Sequence, residues 1–169
     1  MKYFKYLLLI LLITLFSIQK SQAERKKKIL VLHSYHQGLE WTDNVSRGIE
    51  DIFSPLRSQY EVYYEYLDSK RNAGNAYLQQ SASFISTKNS QEKYEIVIAV
   101  DNNALKLLNS RQITFLGSPP IVFCGINNYD DSLISELDQV TGIVETTDHF
   151  STLDIMHKLH PDKKTSPSF

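Results

Sequence analysis

The sequence predicts one α/β domain, a doubly wound parallel five-stranded sheet in the order 2-1-3-4-5, and three observations lead there. From Lys28 onward, short apolar runs rich in β-branched residues alternate with longer segments of helical period. Most of the short runs are continuously apolar, as strands covered on both faces are. The one that alternates, Tyr60 to Leu67, reads as an edge strand, and an edge position for the second strand selects the order 2-1-3-4-5.

Ile29 to Leu32 is the first strand. Trp41, Val45, Ile49, Ile52 and Phe53 then recur with helical spacing, which predicts one apolar stripe on a helix ending near Ser54-Pro55. In the second strand Glu61 and Glu65 alternate with Val62, Tyr64 and Tyr66, giving it a wetter face. Leu78, Ala82 and Ile85 mark the second helix, Ile96 to Val100 a central strand, and Leu105, Leu107 and Leu108 a short helix after it. Ile121 to Cys124, introduced by Pro119-Pro120, is the fourth strand, and Val140 to Val144, with Gly142 inside it, is the shorter fifth. Asp148 is expected to cap a last helix that turns Leu153, Met156 and Leu159 inward before Pro161 stops it.

The amino-terminal residues read as an export signal. Lys2 and Lys5 form a positive n-region, Tyr6 to Ile18 an apolar run broken by Thr14 and Ser17, and Ser21-Gln22-Ala23 a small-x-small cleavage pattern. The run falls short of the roughly 20 apolar residues that span a bilayer, so residues 1–23 are expected to be cleaved after Ala23, with an uncleaved inner-membrane anchor as the alternative. A periplasmic location follows. Residues 24–161 suffice for one domain with a substantial core, and 162–169 form an irregular tail. Lys26-Lys27-Lys28 precedes a strand in a chain of net charge −1, which favours a solvated strand start over a nucleic-acid patch. The single cysteine, Cys124, makes no internal disulfide and follows Ile121-Val122-Phe123, which predicts a buried structural thiol.

In open parallel sheets a ligand lies outside the carboxyl ends of the strands, where loops diverge and helix N-termini present backbone donors. That rule selects His33-Ser34-Tyr35-His36-Gln37-Gly38 with Trp41 nearby, Asp68-Ser69-Lys70-Arg71, Asp101-Asn102-Asn103, and Gly125-Ile126-Asn127-Asn128-Tyr129. The pocket edge is therefore placed at the loops containing Ser34, Asp68, Asp101 and Asn127. Asn and Asp are also common turn formers for local reasons, and Trp41 reads first as a core aromatic opening its helix, with partial ligand contact as the alternative. His33 and His36 have no Cys or acidic partner at metal-ligand spacing, so no metal is expected, and His157 and His160 suit a helix C-terminus. The sequence holds no Gly-x-Ser-x-Gly elbow, no Gly-x-Gly-x-x-Gly after the first strand and no Walker loop. Neither catalysis nor a cofactor is expected; an exported flavodoxin-like hydrolase using Ser34 or Asp101 is the competing reading.

The segments Ile29-Leu30-Val31-Leu32-His33-Ser34-Tyr35, Trp41, Ile96 to Asn102 and Pro120 to Asn127 together resemble the first lobe of the ABC-transporter substrate-binding family with the type I periplasmic binding protein fold. The likeness covers nearly all of the chain after residue 23, and the His-Ser-Tyr loop is especially similar to sensor domains of membrane histidine kinases and diguanylate cyclases. The resemblance implies a small-molecule ligand contacted by Ser34, Tyr35, Trp41, Asp101, Asn102 and Asn127. It also implies a membrane transporter or a sensor kinase or cyclase as partner, and a second lobe closing over the first. After Leu159-His160-Pro161 the family continues with another apolar strand, whereas Asp162 to Phe169 is polar, so the chain is expected to be an incomplete lobe or remnant.

Overall fold

The computed structural model describes residues 25–146 and 148–161. The expected signal segment with its cleavage point after Ala23, and the tail at 162–169, lie outside the described residues. The elements run β1 (Lys27–His33), α1 (Glu40–Phe53), β2 (Tyr60–Tyr66), α2 (Asn75–Lys88), β3 (Ile96–Val100), α3 (Asn102–Asn109), β4 (Ile121–Ile126), β5 (Val140–Val144) and α4 (His149–Leu159), with 3-10 turns at Ser54–Leu56 and Asp131–Ile134.

All five strands are parallel and stand in the order β2-β1-β3-β4-β5. The topology and the edge position of β2 agree with the sequence expectation; β1 and β4 run two or three residues further than the apolar runs alone indicate. The extra residues Lys27 and Lys28 are held by the ladder to β2, whereas Ile126 pairs with Val144 and is fully buried in the core.

The two sheet faces are covered unequally. Leu30 and Leu32 of β1, Val97 and Ala99 of β3, and Ile121 and Phe123 of β4 share one buried cluster with Ala82 and Ile85 of α2 and Leu105, Leu107 and Leu108 of α3. Burying a side chain of this size stabilises by about 1.5–3 kcal/mol, so this layer supplies most of the core. On the opposite face α1 lies over β1 and β2. Ser46 Oγ there is 2.9 Å from His33 Nε2, and the Tyr64 hydroxyl donates to Glu50 at 2.9 Å. Beyond α1 this face is only half-buried, at Ile96, Ile98, Val122 and Cys124.

At the β2 edge the buried Glu65 accepts from Lys88 Nζ at 2.8 Å and Asn89 Nδ2 at 3.1 Å, and Asn89 in turn accepts from the Tyr94 hydroxyl. A carboxylate in an edge strand is thus tolerated because a helix end brings it a cation and an amide. Gly142 has a packing reason: an added Cβ would collide with the carbonyl and ring of Phe123 on the adjacent strand, next to the register shift between Phe123 and Ile126.

Three expectations are corrected. Leu153, Met156 and Leu159 do not point into a core: they are 46%, 46% and 69% exposed, and every residue of α4 is exposed. Asp148 does cap this helix, accepting from the Ser151 backbone at 2.9 Å, but periodicity reveals an apolar side without revealing what packs on it. In α1, Ile52 is exposed, and Trp41 is 42% exposed and turned toward the carboxyl rim, leaving Val45, Ile49 and Phe53 as the inward members. Cys124 is half-buried because it lies on the partly covered face; burial and the nearby Asp101 and Glu145 charges raise its pKa.

Candidate functional site

Since all strands run the same way, the loops after β1, β2, β3 and β4 do converge on one edge, and their backbones are tied together there. Ser34 N–H donates to Val100 O, Ser69 N–H to Ser34 O, and Asp101 N–H to Cys124 O, each at 2.9–3.0 Å. The parallel ladder therefore continues past the strand ends and fixes the loops relative to one another.

Ser34 is the rivet of this rim. Its hydroxyl donates to Val100 O at 2.8 Å and accepts from Ala104 N–H at 2.9 Å, and the residue is fully buried. Ala104 lies in the first turn of α3, whose own N-cap residue, Asp101, makes no side-chain cap bond. The orphan donor of that helix is thus satisfied from another element. Ser69 extends the chain, donating to Ser34 O at 2.6 Å and accepting from Asn103 Nδ2 at 2.9 Å. Both partners of the Ser34 hydroxyl are backbone atoms, which is the arrangement of a structural hydroxyl.

Asp101 is the buried charge of the rim. It is 4% exposed, and its backbone stands at φ 68°, ψ 167°, a region that residues with a Cβ reach only at a cost of about 1–3 kcal/mol. Its carboxylate accepts from Trp41 Nε1 at 2.9 Å and faces the Tyr35 phenol. Burial is the main cause of its raised pKa, and Glu145 adds to it, while Trp41, Tyr35 and Lys70 pull the other way. Burial and the same carboxylate raise the Tyr35 pKa. Gly125, at φ 70°, lets the β4 exit pass beneath this pair. A Cβ there would meet Trp41 at 3.2 Å and Asp101 at 3.6 Å.

Asn102 and Asn127 lock the β3 and β4 exits through a reciprocal pair, Asn102 Nδ2 to Asn127 O at 2.9 Å and Asn127 N–H to Asn102 Oδ1 at 3.0 Å. The Asn127 side chain remains exposed. Asp68, at φ 53°, stands apart, engaged by Arg71 at 2.7 and 2.8 Å, by Asn72 at 3.0 Å and by His36 at 3.4 Å; the Arg71 bond is the main reason its pKa is lowered. Lys70 Nζ sits 5.4 Å over the Tyr35 ring and links the two groups.

The structure therefore brings Tyr35, Trp41, Asp101, Asn102 and Asn127 to one shelf, places Ser34 beneath it and Asp68 at its flank. Sequence reasoning placed Ser69, Asn103 and Gly125 in the selected loops without giving them a role, and missed Glu145. Nothing in their spacing signals that they meet. Among the described residues no cluster of three metal-ligating side chains occurs. A cavity lined by Leu108, Phe115, Pro119, Ile121 and Leu137 lies at the other end of the sheet, beside the amino ends of β4 and β5. Arg111, Glu136 and Asp138 also line it, but all three are exposed, so it holds no buried charged group. The rim is the better candidate because buried charge, aromatic surface and strained backbone coincide there. No protein-family model matches the chain, and no curated protein matches it.

Proposed function

We propose that the chain is a small-molecule-binding lobe that works outside the cytoplasm, as part of an ABC-type substrate-binding or sensor protein, and that the ligand sits on the shelf formed by Tyr35, Trp41, Asp101, Asn102 and Asn127. The observation that carries the reading is Asp101: a nearly buried carboxylate, in a backbone conformation that costs free energy, bonded to a tryptophan whose ring is still part-exposed. Strain of this kind persists where the surroundings over-determine it, and ligand clamps are one such place. Aromatic surface next to a few fixed polar groups suits a small polar or aromatic ligand. The export signal read in residues 1–23 supports the location outside the cytoplasm, and the resemblance to the substrate-binding family supports the transporter or sensor partner.

An open shelf touches a ligand on one side only, so the reading implies modest affinity and a second wall from another lobe or chain. A thermal-shift screen with amino acids, nucleosides, sugars and short peptides tests it. A ligand at a hundredfold excess over its Kd stabilises by about 2.7 kcal/mol, which raises Tm by roughly 5–10 °C. The shift is expected from one ligand class and is expected to vanish in Trp41→Ala and Asn102→Ala. A folded protein silent to every class contradicts the reading.

A further inference from the structure

The charge balance of the shelf is incomplete. Asp101 is 4% exposed, yet the groups at its carboxylate are neutral, the Trp41 indole at 2.9 Å and the Tyr35 phenol. Among the described residues no Lys, Arg or His forms an ion pair with it. Buried charges are ordinarily paired or bound to a metal, so a carboxylate held by neutral donors alone lacks its counter-charge. Glu145 adds a second negative group. Its backbone N–H donates to Ile126 O at 2.9 Å at the exit of β5, and its side chain is exposed. Its charge reaches Asp101, Tyr35 and Cys124, raising the pKa of each.

The positive side of the balance is thin. Arg71 is committed to Asp68 at 2.7 and 2.8 Å, and His36 stands 3.4 Å from the same carboxylate. Lys70 remains. Its ammonium lies 5.4 Å over the Tyr35 ring, and its charge is the weakest of the influences on Asp101. One ammonium is thus already drawn to this edge from within the chain, without reaching the buried carboxylate.

Taking the shelf as the binding site, we infer that its ligand is an organic cation, an amine carried as an ammonium ion, whose charged head meets the Asp101 and Glu145 carboxylates beside the Trp41 and Tyr35 rings. The two aromatics suit such a ligand twice over, since their apolar surface takes the neighbouring methylenes and their faces attract a cation within about 6 Å. An anion would meet two carboxylates of its own sign and gain only Lys70. A neutral sugar or nucleoside would leave the buried charge as unpaired as before. A metal ion needs more ligands than two carboxylates, and among the described residues no cluster of three metal-ligating side chains occurs. Protonating Asp101 is the other way to remove its charge, and replacing it with asparagine tells the two apart.

Isothermal titration calorimetry of the full chain with matched probes tests the charge class separately from the site. The probes are tyramine against para-ethylphenol and para-hydroxyphenylacetate, and putrescine against butanediol and succinate, with glucose and adenosine as uncharged ligands of other kinds. At least one amine is expected to bind roughly tenfold or more tightly than its uncharged and anionic analogues. Asp101→Asn is expected to weaken it by a similar factor, and Glu145→Gln, at an exposed position where folding is not at stake, by about threefold. Lys70→Met is expected to tighten it, because a like charge is removed. The last two variants keep the test open if Asp101→Asn fails to fold. Binding confined to an uncharged or anionic probe, an analogue that matches its amine, amine binding untouched by the carboxylate variants, or weakening by Lys70→Met each overturns the cation inference alone. Silence toward every probe overturns the binding shelf with it.

Discussion

Lowering the pH from 7 to 4 is expected to remove on the order of 3 kcal/mol of folding stability through His33 alone. The geometry explains the size. Ser46 donates its hydroxyl proton to Thr42 O at 2.9 Å, so the contact between Ser46 Oγ and His33 Nε2 needs the imidazole proton on Nε2. Nδ1 is then left buried without a partner, and protonating it would place a charged N–H where nothing accepts it. The ring also stacks on Tyr66 and Tyr64, with centroids 5.2 and 6.1 Å away. Burial is the main cause that lowers the pKa to about 4 from 6.5, with Asp43 opposing it. Because the unfolded chain binds the proton first, the stability contributed by neutral His33 is full above pH 6.5, declines as pH falls toward 4, and changes no further below that. Asp101 has the opposite sign: its raised pKa makes the folded form hold a proton more readily, so acid relieves part of its burial penalty. Denaturant unfolding of the chain and of His33→Phe, each at pH 7 and pH 4, separates the two groups. The parent is expected to lose on the order of 3 kcal/mol more than the variant, since phenylalanine keeps the stacking and cannot titrate.

The second large effect is expected from Ser34→Ala, a loss of about 2 kcal/mol, because it strands the Ala104 N–H at the buried start of α3 and removes one link between β1 and β3. The replacement is small and fits the space, so the cost comes from hydrogen bonding and not from strain. Amide exchange at Ala104 and its neighbours is expected to speed up more than exchange in the distant α2, which distinguishes a local uncapping from a general weakening.

How much of this was readable beforehand follows from the physics of each signal. The sheet was readable because a strand buried on both faces must be continuously apolar, and Ile29 to Leu32 and Ile96 to Val100 are. The rim was readable one step later, since parallel strands deliver their exits to a common edge. What each rim residue does was not. Ser34, Ser69 and Asn103 are polar residues after strand ends and look alike in sequence; only the register of β1 beside β3 makes Ser34 the cap of α3. The positive φ of Asp101 has no sequence mark, since neither Gly nor Asn stands there to announce it. Helix α4 failed for a different reason: Leu153, Met156 and Leu159 were correctly seen as one apolar side, but the partner of an apolar side is a tertiary fact.

The proposed small-molecule site around Asp101 has a built-in reporter, because Trp41 is the only tryptophan in the chain and its indole N–H rests on Asp101. Titration of its fluorescence with free amino acids, nucleosides, sugars and short peptides is therefore the most direct measurement. A saturable change in emission is expected with one of these classes, lost in Asp101→Asn at unchanged fold. Emission that stays constant through every titration, from an indole that acrylamide still quenches readily, would contradict it.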